Sequence, residues 1–336
     1  MKSKFKNIIF FFCVTITITI ALSFDAIAQD IQFTQYYANP IFLNPAYTGA
    51  TFEHRFVGNY RNQWPGISKA FSTFAVSYDY HLTDIKSGVG IQVVRDKAGT
   101  SSLSTTGVLA SYAYYYAISK TKDIRMGLQL GYISKYYDYS RLVFNDQLYT
   151  GSSISNDLEV VPKINFININ AGALYTSEIL WAGVSLHNMN KPNTSLIDGS
   201  NPLPFKFSIH GGYRYVIAKK GNFLIKYFSP SINYRHQYKF DQLDVGVSYF
   251  NAPLSLGLWY RGIPVKHYKP GYPNTDALSF LVGVDIKDYD LRIGFSYDIT
   301  LSRLVSTSYG AAELSIIYEI AKKSKRKRVH VSCPKF

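Results

Sequence analysis

From Tyr289 to Ile299 the chain reads YDLRIGFSYDI, and every odd position is apolar or aromatic while the even ones are Asp, Arg, Gly, Ser and Asp. Strict alternation of this kind is a strand with one greasy and one hydrophilic face. The same pattern runs through PFKFSIHGGYRY at 204–215 and FDQLDVGVSYF at 240–250. About fourteen such segments follow one another, starting near His54, Ala70, Gly88, Leu103, Asp123, Lys163, Glu178, Pro204, Asn222, Tyr238, Pro253, Asp276, Tyr289 and Ala311. No convincing amphipathic helix interrupts them, and no stretch after the first 28 residues offers the roughly 20 apolar residues of a membrane helix. An all-β chain with this many two-faced strands has to close its sheet or bury one face of it.

The amino terminus carries Lys2, Lys4 and Lys6, an apolar stretch from Ile8 to Leu22 and then Ala26-Ile27-Ala28. A basic start, a short apolar core and a small-x-small ending make residues 1–28 a secretory signal peptide. The chain has two cysteines, Cys13 and Cys333, and the first lies inside that signal. The exported protein therefore has no internal disulfide and no cysteine cluster for a metal. Aromatic residues supply 16% of the sequence, including 29 tyrosines. Tyrosine favours strands and also boundaries with one apolar and one wet side.

Loop lengths point from a β protein to a membrane barrel. Counting from a first strand that starts in the periplasm, the inside turns LTDIKSG, SKTKD, TSE, AKKGN, NAP and KD are all short. The outside connections include RNQWPGISK, SRLVFNDQLYTGSSISNDLEVVP, NMNKPNTSLIDGSNP, RGIPVKHYKPGYPNT and TLSRLVSTSYG. Outer-membrane barrels alternate short periplasmic turns with longer external loops, whereas a soluble sandwich has no reason to sort loops by parity. A bilayer also offers no partner for backbone N–H and C=O groups, so extended chain crosses it only as a closed sheet. The expected organisation is a signal peptide at 1–28, an irregular segment at 29–53, an antiparallel transmembrane barrel of about 14 strands at 54–321 and a basic tail at 322–336. With an even number of strands, both termini face the periplasm.

The segment QDIQFTQYYANPIFLNPAYTGA, residues 29–50, contains Asn39-Pro40 and Asn44-Pro45, which break regular structure. Its Phe33, Tyr36, Tyr37, Phe42 and Tyr47 are poorly placed in bulk water, so packing inside the barrel or on its rim is expected. Together with YRNQWPGI at 60–67, DKAGTSS at 96–102, GLWYRGIP at 257–264 and the terminal CPKF, this segment resembles the PorP/SprF family of the type IX secretion system. The resemblance covers essentially the whole exported chain. It implies an outer-membrane barrel of bacteria that secrete or glide through that system. Its implied partners are a large surface adhesin with a type IX C-terminal sorting domain, and periplasmic ring or peptidoglycan-linked components of the machine.

Catalysis finds little support in the residues. The seven histidines are scattered, and none sits in an HExxH or comparable ligand pattern. His210 projects to the expected lumen between Ser208 and Gly212, where a polar lining residue explains it. No catalytic residue, cofactor or metal site is expected, and nucleic acid is not an expected partner. Candidate partner contacts are Arg61 and Trp64 in RNQWPGI, since aromatic and Arg side chains on turns anchor interfaces; Trp64 reads equally as folded back over the lumen or resting in the outer aromatic girdle. The chain's net charge is +14, and the tail alone holds Lys322, Lys323, Lys325, Arg326, Lys327, Arg328 and Lys335 with no acidic residue. A periplasmic tail of that charge is attracted to anionic headgroups or to acidic protein surfaces, and the family resemblance, which includes CPKF, implies docking on periplasmic machinery with Cys333, Pro334, Lys335 and Phe336 read at its end. The competing function is an outer-membrane diffusion channel, because about fourteen strands leave an aqueous lumen unless it is plugged.

Overall fold

The computed structural model describes residues 30–51, 53–67, 71–99, 103–119, 121–137, 145–151, 163–196, 199–221, 223–269, 272–301 and 305–320. The expected signal peptide, residues 1–28, and the basic tail, with Lys322 to Phe336, lie outside the described residues. Contacts divide the chain at Ile31, and the unit from Gln32 onward holds the sheet.

Fifteen strands make that sheet. They are β1 (His54–Gln63), β2 (Phe71–Leu82), β3 (Ser87–Ala98), β4 (Leu103–Ser119), β5 (Lys122–Tyr136), β6 (Lys163–Ser177), β7 (Leu180–His187) and β8 (Lys206–Tyr213). The remainder are β9 (Tyr215–Lys220), β10 (Phe223–Gln237), β11 (Phe240–Asn251), β12 (Leu254–Lys269), β13 (Tyr272–Ile286), β14 (Leu291–Thr300) and β15 (Ala311–Ile320). Strands β8 and β9 lie end to end along β10 and are separated only by Arg214, so they fill one position in the wall. Each stave pairs antiparallel with its sequence neighbour, and β15 returns to β1 over ten positions, from His54 against Ile320 to Gln63 against Ala311. The result is a closed antiparallel barrel of 14 staves. Observed strand starts lie within four residues of those expected from the alternation.

Facing follows the sequence period. On β14 Phe295, Tyr297 and Ile299 are exposed on the outer wall, while Gly294, Ser296, Asp298 and Thr300 are buried inside. On β5 Ile124, Met126, Leu128, Leu130 and Tyr132 point out, and Arg125, Gln129 and Ile133 point in. An apolar exterior around a polar interior inverts the pattern of a water-soluble protein and fits lipid as the outer solvent. No described helix is long and apolar enough to cross a membrane.

Loop lengths follow the expected parity at one end only. At the end holding His54 and Ile320 every connection is two to four residues. At the other end the connections after β5 and β7 are long, but β10 and β11 are joined by Tyr238 and Lys239 alone, with Tyr238 at φ 56°. The stretch RGIPVKHYKPGYPNT, expected as a loop, is instead a continuation of β12 and β13 with Lys269 paired to Tyr272. Pro264 and Gly262 read as breakers, yet proline and glycine are accommodated at irregular pairings, and the register shifts between Arg261 and Lys269 supply them.

The lipid-facing assignment gives a direct prediction. Leu130 is 58% exposed on the outer wall of β5, so Leu130→Arg should cost about 2–4 kcal/mol in vesicle-embedded protein. Urea unfolding from phospholipid vesicles measures this. A change near zero would place that face away from lipid.

Candidate functional site

The lumen is occupied by the chain itself. Residues 33–51 form short turns, Tyr36–Ala38, Pro40–Leu43 and Pro45–Tyr47, and the two Asn-Pro steps mark where the chain reverses. Gln35, Ile41, Asn44 and Ala46 are fully buried. Residues 34–35 are anchored beside Arg61 and Glu313, and residues 47–49 beside Arg55 and Asp79, so the segment runs along the length of the lumen.

Thr34 makes the first anchor. Its hydroxyl accepts from Arg61 Nη1 at 2.6 Å and from Arg261 Nη2 at 2.9 Å, and donates to Asp298 Oδ2 at 2.6 Å. A hydroxyl has one proton and two lone pairs, so its hydrogen-bonding capacity is full. The Thr34 and Gln35 backbone N–H groups donate to the two carboxylate oxygens of Glu313, at 2.8 and 3.0 Å. Gln35 then accepts from Ser315 Oγ at 2.6 Å and donates to the Glu313 carbonyl at 3.0 Å. Ion pairs tie the wall together around these contacts: Arg61 with Asp298 and Glu313, and Arg261 with Asp244 and Asp298. Arg235 pairs with Asp244 as well. Glu313 is on β15 and Arg61 on β1, so the network bridges the pairing of the first and last strands.

The second anchor holds the exit of the segment. Arg55 grips Asp79 through two nitrogens, at 2.8 and 2.9 Å, and also donates to the Tyr47 carbonyl at 2.9 Å. Asp79 Oδ2 receives the Gly49 N–H at 2.7 Å. The Gly49 carbonyl meets His81 Nδ1 at 2.7 Å and Arg125 at 3.2 Å. Gly49 has φ +64°, and a Cβ there would lie 2.5 Å from the Gly88 Cα, so the chain passes where a side chain has no room. Between the anchors Asn44 acts as an extra rung, donating to the Ala173 and Val184 carbonyls at 3.0 Å each.

Inward glycines of the wall make the seat. A Cβ on Gly127 would sit 2.4 Å from the Ala46 nitrogen, and one on Gly172 would sit 1.9 Å from Asn44 Oδ1. Glycine in a strand marks close approach of another group, here the segment's backbone at Gly127 and its Asn44 side chain at Gly172. The aromatics close the remaining space: Tyr36 meets Trp259 edge-on at 5.4 Å, Tyr37 stacks on the same ring at 6.1 Å, and Phe33 meets Phe42 at 5.1 Å. A small pocket beside Gln35, Tyr37, Arg55 and Glu319 has room for water.

The structure places the sequence-derived candidates differently. Arg61 is 4% exposed and committed to Thr34, Asp298 and Glu313, so it is a wall residue and not a surface contact. Strand parity accounts for this, since Arg55, Val57, Asn59 and Arg61 share the inward face of β1. Trp64, half-buried at φ 58°, packs its ring edge-on against Phe71 at 5.6 Å, and its backbone N–H donates to the Gly310 carbonyl at 2.8 Å. Those contacts fold the indole onto the barrel rim. His210 is buried, packed 5.7 Å from Tyr47, with neither ring nitrogen hydrogen-bonded among the described residues. Sequence reading missed Asp79, Asp244, Asp298, Glu313, Arg55 and Arg261 as a set. Their only local signal was a charge at an inward strand position.

The family model described as type IX secretion system membrane protein PorP/SprF matches residues 26–318. No protein of curated function matches the chain. Among solved structures, the chain is similar to a FadL homologue of Pseudomonas aeruginosa, at 12% identity over 84% of this chain and 94% of that one, with a TM-score of 0.47. It is also similar to the Pseudomonas putida toluene transporter TodX, at 10% identity over 86% and 93%, with a TM-score of 0.43. A mutant of the Rh. blastica porin matches at 8% identity over 80% and 100%, with a TM-score of 0.34.

Removing one partner from a buried ion pair strands the other charge, at about 3–5 kcal/mol. Arg61→Ala should therefore destabilise the barrel by about that amount in urea unfolding, and should expose residues 33–50 to added protease. Gly127→Val should also expose the segment. Equal protection in both variants would show that the anchors do not hold it.

Proposed function

The chain belongs to the type IX secretion system membrane protein PorP/SprF family, and from that membership we propose that it is a non-enzymatic outer-membrane scaffold that supports secretion and surface anchoring of a large adhesin-like cargo. The observation that carries this reading over a diffusion channel is the occupied lumen. Residues 33–51 fill the barrel with paired polar groups and packed aromatics. A pore for solutes has no use for a segment bonded to its wall at both ends.

In this reading the end holding His54 and Ile320 faces the periplasm, in line with its uniformly short turns. The basic tail from Lys322 onward then extends on that side, where Lys322, Lys323, Lys325, Arg326, Lys327 and Arg328 steer it towards the ring or peptidoglycan-linked components. Cys333, Pro334, Lys335 and Phe336 supply the terminal element that is recognised. The long connections after β5 and β7, with the Trp64 rim, face outward and offer a surface to the cargo. No side chain is assigned to catalysis, and His210 serves packing against Tyr47.

Deleting the gene should abolish surface display of one large cargo, read by whole-cell immunofluorescence, while uptake of small hydrophilic solutes stays unchanged. Persistent display would contradict the scaffold, and reduced solute uptake would favour the channel. Truncation after Ile320 should leave a folded barrel in the outer membrane but remove periplasmic machine components from a crosslinked pull-down. Retention of those components would move their docking site away from the tail.

A further inference from the structure

The strand register aligns the outer wall into rows. One row reads Val76, Val93, Val108, Tyr132 and Ile167 across β2 to β6, all facing out. The next row towards the β3–β4 connection reads Phe74, Arg95, Thr106, Ser134 and Asn165. The one beyond it reads Ser72, Lys97, Ser104, Tyr136 and Lys163. On β3 through β6 the wall changes from wholly apolar to polar within a single two-residue step.

The polar rows carry three cations and no acid. Arg95, Lys97 and Lys163 are all exposed, and no ion pair or hydrogen bond occupies them among the described residues. Among the described residues the acid beside these rows, Asp96, turns inward and accepts from Thr73 at 2.6 Å. Cations at the other exposed tip are spent differently: Lys266 is paired with Asp241, and Lys239 lies over the Tyr238 ring at 5.1 Å. Arg95 and Lys97 are two residues apart on one face, about 7 Å, and Lys163 is three strands from Lys97, about 14 Å. Hydroxyls of Ser104, Thr106 and Ser134 fill the interval between them.

We propose that this ledge on β3–β6 is a binding site for the phosphorylated headgroup of a membrane lipid. An occupant must touch the Val93, Val108 and Tyr132 row with acyl chains and the adjoining rows with anionic oxygens. A phosphorylated lipid has those two chemistries at that separation, whereas free phosphate lacks the first and a soluble acidic protein meets lipid at that row. Arg95 supplies a planar, bidentate donor set to phosphate, Lys97 and Lys163 supply point charges, and the hydroxyls donate to the remaining oxygens. The site depends on the barrel spanning a membrane and not on which end faces outward.

Native mass spectrometry of the full-length protein in detergent tests the ledge. The probe is a lipid bearing two phosphate monoesters, beside its enzymatically dephosphorylated form. Wild type should retain the phosphorylated lipid, and Arg95→Gln/Lys97→Gln/Lys163→Gln should weaken retention more than about tenfold, since each cation near an anionic lipid surface contributes about a fivefold factor. Lys122→Gln, an exposed outer-wall cation at the opposite end of β5, should bind as wild type. Folding of each variant is read from its heat-modifiable mobility on gels, and if the triple variant does not fold, Lys97→Gln alone should weaken retention about fivefold. Equal retention in the ledge variant, equal binding of the dephosphorylated lipid, or full displacement by inorganic phosphate would overturn the proposal. Loss of cargo display in the deletion strain tests the scaffold separately, because it does not depend on lipid retention.

Discussion

The Thr34 hydroxyl uses its full hydrogen-bonding capacity on charges that come from three parts of the wall, β1, β12 and β14. The rest of the architecture depends on that meeting point. Arg61, Arg261, Asp298 and Glu313 are buried charges, and each is tolerable in a low-dielectric interior only while its partners stay in place. Because the cluster spans the β1–β15 junction, the inserted segment and the closure of the barrel support one another. The bilayer demands a closed sheet, the closed sheet leaves a polar lumen, and the lumen's charges are satisfied by the segment that precedes the first strand.

The glycine pattern is the complementary half of this arrangement. Gly88, Gly127 and Gly172 lie on inward positions; the first two leave room for the backbone of residues 45–49 and the third for the Asn44 side chain. A wall lined throughout by side chains would hold the segment away and leave an aqueous gap. The seat is thus built by omission at a few positions, and the two ends of the segment are held by charge.

Much of the fold could be read in the sequence because a barrel strand encodes its facing at every second residue. YDLRIGFSYDI already separates the lipid row from the lumen row, and the strand starts fall close to their observed places. The pairing of lumen charges was not legible, since Thr34 and Glu313 are 279 residues apart and the same acids could face water in an open channel. Arg61 was misread for a related reason. The turn signal of Trp64-Pro65-Gly66 drew it into the loop, although its parity with Arg55 and Asn59 placed it inside. The extended β12–β13 hairpin was hidden by Gly262 and Pro264, whose cost the irregular pairing absorbs.

The central claim is that residues 33–51 close the lumen by being bonded to it. Single-barrel conductance in planar bilayers tests this most directly. The intact protein should be nearly silent, and a variant lacking residues 32–50 but still folded should open steps of the size expected for a 14-stave lumen. Steady porin-like conductance from the intact protein, equal to that of the deletion, would contradict the account.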